Sequence, residues 1–268
     1  MSLLQFSSGF VLAALVCTLA WRVRGLSSRG AVAATLVGGL IFGLGGWQWA
    51  VLLLGFFISS SMLSHAVAAR KKDLNEKSAK GAKRDGIQVL ANGGVAALLA
   101  LLQSFNPEQI WPWIAYAGSM AAVNADTWAT ELGVLNRSPP RMITTGRPVA
   151  RGISGGITLV GTLATLGGAL LIALLSGVFD SAGLFGKTLL VITAAGVAGS
   201  LFDSFLGATL QAIYHCPHCT IETEHHPLHN CGESTTRIRG WPWINNDMVN
   251  FLNAIFGAAV ALVLWHMG

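Results

Sequence analysis

"IAYAGSMAAVNADTWATELGVL", residues 114–135, is the stretch whose reading decides the fold. Its first half is apolar enough for a bilayer. Its second half carries Asn124, Asp126, Thr127, Thr130 and Glu131. A charge at the centre of a membrane is expensive, so such residues face the bundle interior or a cavity and mark function. If the stretch crosses the membrane, the loops on either side of it fall on opposite faces. If it does not, the sidedness of everything after it reverses.

The rest of the chain argues that it crosses. Of 268 residues, 53% are hydrophobic and 11% charged, against about a quarter charged in a soluble domain. Apolar runs recur over roughly 3–21, 31–46, 48–68, 87–104, 111–132, 154–176, 186–213 and 248–266, each a candidate spanning helix. Runs such as "VLLLGFFI" and "GALLIALL" are continuous rather than alternating, which excludes a membrane β-barrel. The expected fold is an all-α, polytopic bundle of about eight spans forming one membrane domain over 1–268. The first run has no basic residues before it and no small-residue cleavage site, so it reads as a retained helix.

Charge placement supports eight spans. The loops 22–30, 69–86, 133–153 and 214–247 then share one side, and they hold 16 of the 17 Lys and Arg residues, all but Lys187. The excess of positive charge makes that side cytoplasmic and puts both termini on the other. The net charge of +5 is thereby explained by topology and anionic lipid, with no nucleic-acid partner expected.

Three runs carry polar groups toward that same side. At about 100° per residue, Asn124, Thr127 and Glu131 share one helix face, while Asp126 and Thr130 lie on another. Either the helix unwinds there or the two sets have different partners, with Asp126 the better metal ligand. In "GSLFDSFLGATLQ", Ser200, Asp203, Ser204, Gly207 and Gln211 form one stripe. In "WINNDMVNFLNAIFG", Asn246, Asn250 and Asn253 form another, with Asp247 beside it. Helix packing through hydrogen bonds is the bland explanation for each stripe. It is weaker for Asp126, Glu131, Asp203 and Asp247 together. No intramembrane Lys or Arg neutralises them, so they need protons, basic loop residues or a divalent cation such as Mg2+.

The loop "NRSPPRMITTGRPVARGISGGIT" joins four arginines to Thr144, Thr145 and a glycine run expected to open the sixth helix. Backbone N–H groups there and bidentate arginines would suit phosphate. No Walker spacing or dinucleotide fingerprint is present. Carboxylates able to hold Mg2+ beside a phosphate loop are the parts of phosphoryl transfer. In the 214–247 loop, "HCPHCTIETEHHPLHNCGE" gives Cys216, Cys219, His229 and Cys231 the spacing of a structural Cys3His zinc site, with His215, His218, His225 and His226 as alternative ligands. Free thiols with fortuitous spacing are the competing reading.

Together, "KRDGIQVLANGG", "NADTWATELG", "RMITTGRPV" with "GISGGIT", "GSLFDSFLGATLQ", the cysteine loop and "WPWINNDMVNFLN" resemble a family of integral membrane proteins that includes the plant chloroplast phytyl-phosphate kinase. The resemblance covers about residues 60–257. It implies transfer of a phosphoryl group from a nucleoside triphosphate, CTP or another, to an isoprenyl monophosphate of phytyl or geranylgeranyl type. It places family motif positions at Lys83, Arg84, Gln88, Asn92, Asn124, Asp126, Glu131, Gly155, Gly156, Asp203, Asn246, Asp247 and Asn250. On chemical grounds Asp126, Asp203 and Asp247 are expected to hold Mg2+, assisted by Glu131 and Asn250. Arg141, Arg147, Lys83 and Arg84 are expected on phosphates, together with Thr144, Thr145, Ser154 and the remaining polar positions. The active site would face the cytoplasm from a plasma, inner or photosynthetic membrane. A cytidylyltransferase, an ion-coupled transporter and a zinc-organised scaffold are the rival readings.

Overall fold

Each apolar run becomes a helix with a recognisable start. The computed structural model describes residues 3–71, 83–179 and 183–267. Among these lie α1 (Leu3–Arg22), α2 (Ser28–Gly45), α3 (Trp47–Lys71), α4 (Gly86–Phe105), α5 (Trp111–Gly133), α6 (Leu159–Gly177), α7 (Phe185–Thr209) and α8 (Asn246–Met267). The Ser27 side chain caps α2 by accepting from the Gly30 N–H. Asp85 and Gln88 cap α4 reciprocally, and Thr158 caps α6. These side chains satisfy amide groups that the first helical turn leaves without partners. The basic run over 72–82, with Lys72, Lys77 and Lys80, lies outside the described residues.

Two boundaries differ from expectation. The sixth helix begins at Leu159 rather than 154, because Gly156–Ile157 forms a strand, β2, antiparallel to β1 (Arg141–Met142). The seventh ends at Thr209 rather than 213, because Ile213 already belongs to β3 (Ile213–Cys216). With β4 (Ile221–Thr223) and β5 (Thr236–Arg239), β3 forms a three-stranded antiparallel sheet in the order β4-β3-β5. The 214–247 loop is therefore a small folded unit.

Seven of the helices are long and apolar enough to cross a bilayer; α5 falls short in mean hydropathy. Its position explains why it can. It packs against α3, α4, α6, α7 and α8, and every residue from Ile114 to Ala125 is buried. A helix walled in by protein need not match lipid. Close packing is made possible by small residues: a Cβ on Gly118 would sit 2.4 Å from that of Ala261 on α8. The apolar side chains on the bundle's outer surface include Leu15, Leu163, Leu190 and Val263, all exposed.

The bundle has two unlike ends. At one, α2 turns into α3 at Gly46 and α4 into α5 over 106–110. At the other, the polar segments touch one another. The Ser27 N–H donates to the Arg84 carbonyl and the Arg84 N–H to that of Gly25. The Arg239 guanidinium donates to the carbonyls of Gly207, Ala208 and Ser154, closing the end of α7 onto both folded loops.

Candidate functional site

A polar cavity of about 440 Å3 opens at this second end. The ends of α3, α5 and α7 and the starts of α4 and α8 form its floor and walls. The segment 138–158 and one residue of the sheet unit complete it. Asp126 enters from α5 and Asp203 from α7. Asp203 lies within electrostatic reach of both Asp126 and Glu224, and its Oδ2 is buried with no hydrogen-bond partner among the described residues.

Glu224, directly after β4, is the third carboxylate, and sequence reasoning missed it. Its Oε1 accepts from Ser154 Oγ and from Gln211 Nε2, both at 2.8 Å. Nothing in its local spacing signals this role; only the fold of the cysteine loop carries it there. Asn246 and Asn250 line the same cavity from one face of α8. Asp247 is buried on a different face and lies outside the lining. The converging acids are thus Asp126, Asp203 and Glu224. Three carboxylates, one of them with an orphaned buried oxygen, and two amides form an all-oxygen donor set, which fits a hard divalent cation such as Mg2+.

The two faces of α5 resolve without unwinding. The helix is continuous to Gly133, and its end projects into the cavity so that Asp126 and Glu131 both line it. Asp126 faces the α7 side. Glu131 accepts from Ser64 Oγ of α3 at 2.8 Å and interacts with the Arg84 charge. Arg84 is held in turn by a hydrogen bond from its Nη2 to Ser60 Oγ at 2.9 Å, and it lies over Phe56 and Phe57. Burial pulls the Arg84 pKa below its ordinary value, and the Glu131 charge pulls it back up. Gln88 and Asn92 line the cavity beside it. Gln88 Oε1 accepts from the Asp85 N–H, and Asn92 Nδ2 donates to the Gln88 carbonyl.

Ser154, Gly155 and Gly156 are in the lining, as is Arg151, whose Nη2 donates to the carbonyls of Asn136 and Arg137. The glycines precede α6 instead of opening it. Gly155 has φ +85°, and a Cβ there would meet the Ala208 backbone N at 2.5 Å. The loop therefore lies directly on α7, near Asp203. Arg141, Thr144, Thr145 and Arg147 do not reach the cavity. They form an exposed turn in which Arg141 Nη1 donates to the Gly146 carbonyl at 2.9 Å. Lys83 is exposed and also outside the lining.

Asn124 sits deeper, fully buried and outside the cavity. Its Nδ2 donates to the Gly168 carbonyl at 2.7 Å, and its Oδ1 accepts from Ser59 Oγ at 3.1 Å. It fastens α5 to α6 and α3. Interhelical bonds of this kind in membranes contribute about 0.6 kcal/mol each, up to about 1.7. Asn124→Ala is expected to lower unfolding stability in detergent by roughly 1–2 kcal/mol on that scale. Thermal unfolding of parent and variant checks this.

The sheet unit holds a second group of donors. The ligand atoms of Cys216, Cys219, His229 and Cys231 all lie within 4.8 Å of one another and could hold a metal ion. His229 Nδ1 is 3.3 Å from Cys231 Sγ and 3.6 Å from Cys219 Sγ. Three sulfurs and one imidazole suit zinc. Cys216 pairs with Ile221 at the tip of the β3–β4 hairpin, and Glu224 leaves its base. One hairpin thus joins this Cys/His cluster to the cavity.

Comparison with known proteins places the chain among membrane proteins of plants and microbes. It is 32% identical over 270 residues to Protein PGR of Arabidopsis thaliana, covering 91% of each chain. It is 36% identical over 207 residues to an uncharacterized membrane protein of Methanocaldococcus jannaschii, covering 75% of this chain and 83% of the relative. It is 27% identical over 253 residues to Protein VTE6, chloroplastic, of Arabidopsis thaliana, covering 90% of this chain and 66% of the relative. No solved structure matches it. The family model of the integral membrane proteins DUF92 matches residues 11–258, and the chain belongs to that family.

Proposed function

We propose that the protein is a membrane-embedded phosphotransferase that moves a phosphoryl group from a nucleoside triphosphate to an isoprenyl monophosphate, giving the diphosphate. One observation carries the reading: acids and arginines converge in a single polar cavity at one end of an apolar bundle. The basic loops at that end support a cytoplasm-facing site. Family membership and the resemblance to the plant phytyl-phosphate kinase support the substrate class.

In this reading Asp126, Asp203 and Glu224 hold Mg2+, with Asn246 and Asn250 completing the oxygen set. The cation neutralises charge on the nucleotide phosphates when bound. Arg84 and Arg151 bind phosphate oxygens from the other side of the cavity. An oxygen of the lipid monophosphate attacks the terminal phosphorus of the nucleotide. The bond to the nucleoside diphosphate breaks, and a new P–O–P linkage forms. The attacking oxygen is already ionised at neutral pH, so no strong general base is required. The protein's work is to position two anionic groups that repel each other. The Cys3His group would hold structural Zn2+.

The test supplies purified protein with terminally labelled CTP, ATP or GTP, Mg2+ and phytyl or geranylgeranyl monophosphate. Labelled lipid diphosphate is the expected product. Pyrophosphate release with nucleotide joined to the lipid would mean a cytidylyltransferase. No transfer to any isoprenyl monophosphate by folded protein would overturn the reading.

A further inference from the structure

A second cavity, of about 370 Å3, lies between α1, α2, α3 and α4. Its walls are almost entirely apolar. Among the described residues, the only charged or amide-bearing side chains lining it are Arg84, Gln88 and Asn92, and these three also line the polar cavity. The two spaces meet at this partition. One side offers a guanidinium and carboxamides beside an acid-lined chamber; the other offers hydrocarbon walls running back into the membrane.

Its dimensions select an occupant. On α3 the lining extends from Phe57, near Arg84, to Trp47 at the far end of the bundle. At about 1.5 Å per helical residue that is roughly 15 Å, half of a hydrocarbon core about 30 Å thick. An apolar cavity of about 150 Å3 holds one benzene ring, so this one corresponds to roughly 15 carbon atoms. That is a single chain, not the paired tails of a membrane phospholipid. The chemistry at the partition suits a phosphate headgroup through Arg84.

We infer that the α1–α4 cavity receives the isoprenyl chain of the substrate, with Arg84, Gln88 and Asn92 at the junction of chain and phosphate, and with the Phe42 and Trp47 end setting the longest chain accepted. This rests on the function proposed above and adds the tail's location and the residues that measure it. The first two helices, whose sequence says only that they are hydrophobic, then have a specific task.

Two measurements on full-length protein in nanodiscs test it. In the first, farnesyl monophosphate bearing a terminal diazirine is photolysed and the labelled peptides are mapped. Labelling of residues 34–54, displaced by excess farnesyl monophosphate but not by phosphatidylglycerol, is expected. Labelling spread over the outer faces of α6 and α7, or undiminished by the competitor, overturns the inference. In the second, Ala50→Phe narrows the far end, and Leu12→Phe on the exposed flank of α1 does so with less demand on packing. Either is expected to lower the ratio of farnesyl to geranyl diphosphate formed by roughly 10-fold or more, the scale on which a pocket discriminates chain size. An unchanged ratio in a folded variant overturns it. Displaceable labelling without diphosphate formation would remove the kinase reading and keep the cavity's assignment. Diphosphate formation without displaceable labelling would do the reverse.

Discussion

Asp203→Asn is expected to cut diphosphate formation severely while leaving the protein at least as stable as the parent. The substitution changes almost nothing in size. It removes a negative charge that lies within reach of Asp126 and Glu224, so it relieves repulsion between like charges. What is lost is the buried Oδ2, which has no hydrogen-bond partner among the described residues and which the proposed function gives to a cation. Turnover is expected to fall by roughly 100- to 1000-fold, the usual loss when one group stabilising transferred charge is removed. Thermal unfolding in detergent is expected to hold or rise, the pattern of a residue kept for activity at the expense of stability. Turnover within a few-fold of the parent would take Asp203 out of the site.

The second large effect is expected from Cys216→Ser. The variant would lose one of four clustered ligands, and metal content measured by mass spectrometry is expected to drop from one equivalent toward none. Activity is expected to fall with it, although no cysteine lines the cavity. Cys216 and Glu224 sit at opposite ends of one hairpin, and Glu224 is placed by Ser154 and Gln211. Loosening the tip frees the base. A roughly 10- to 100-fold loss is expected, the scale seen when groups supporting a metal site are changed. Glu224→Gln should show a comparable loss with the metal retained. Full activity in Glu224→Gln would break the proposed link between hairpin and cavity.

What could be read from the chain follows the range of the interactions involved. The helices were legible because each apolar run reports its own burial, and starts such as Ser27 and Asp85 with Gln88 are local hydrogen-bond patterns. The division of α5 into two polar faces was legible from periodicity alone: Asn124 and Glu131 both bond serines of α3, while Asp126 faces α7. Convergence over distance was not legible. Glu224 reaches the cavity through a sheet whose register the sequence does not announce. Arg151 lines the cavity while Arg141 and Arg147 in the same basic loop do not; a two-stranded turn carries those two outward. Asp247 neighbours Asn246 in sequence, yet one helical step of about 100° takes it to another face. The glycine run looked like a helix N-terminus for phosphate. At Gly155 its immediate cause is contact with the α7 backbone.

The burial of α5 has a consequence for how the protein is made. A helix of its composition gains less from lipid than the seven more apolar ones do. Polar residues at its end add a further cost on the scale that governs insertion. The earlier α3 and α4 already provide partners for it, including Ser59 and Ser64. The remaining walls, α6, α7 and α8, emerge only later. Integration of α5 is therefore expected to be cooperative, tied to the arrival of the helices that follow it.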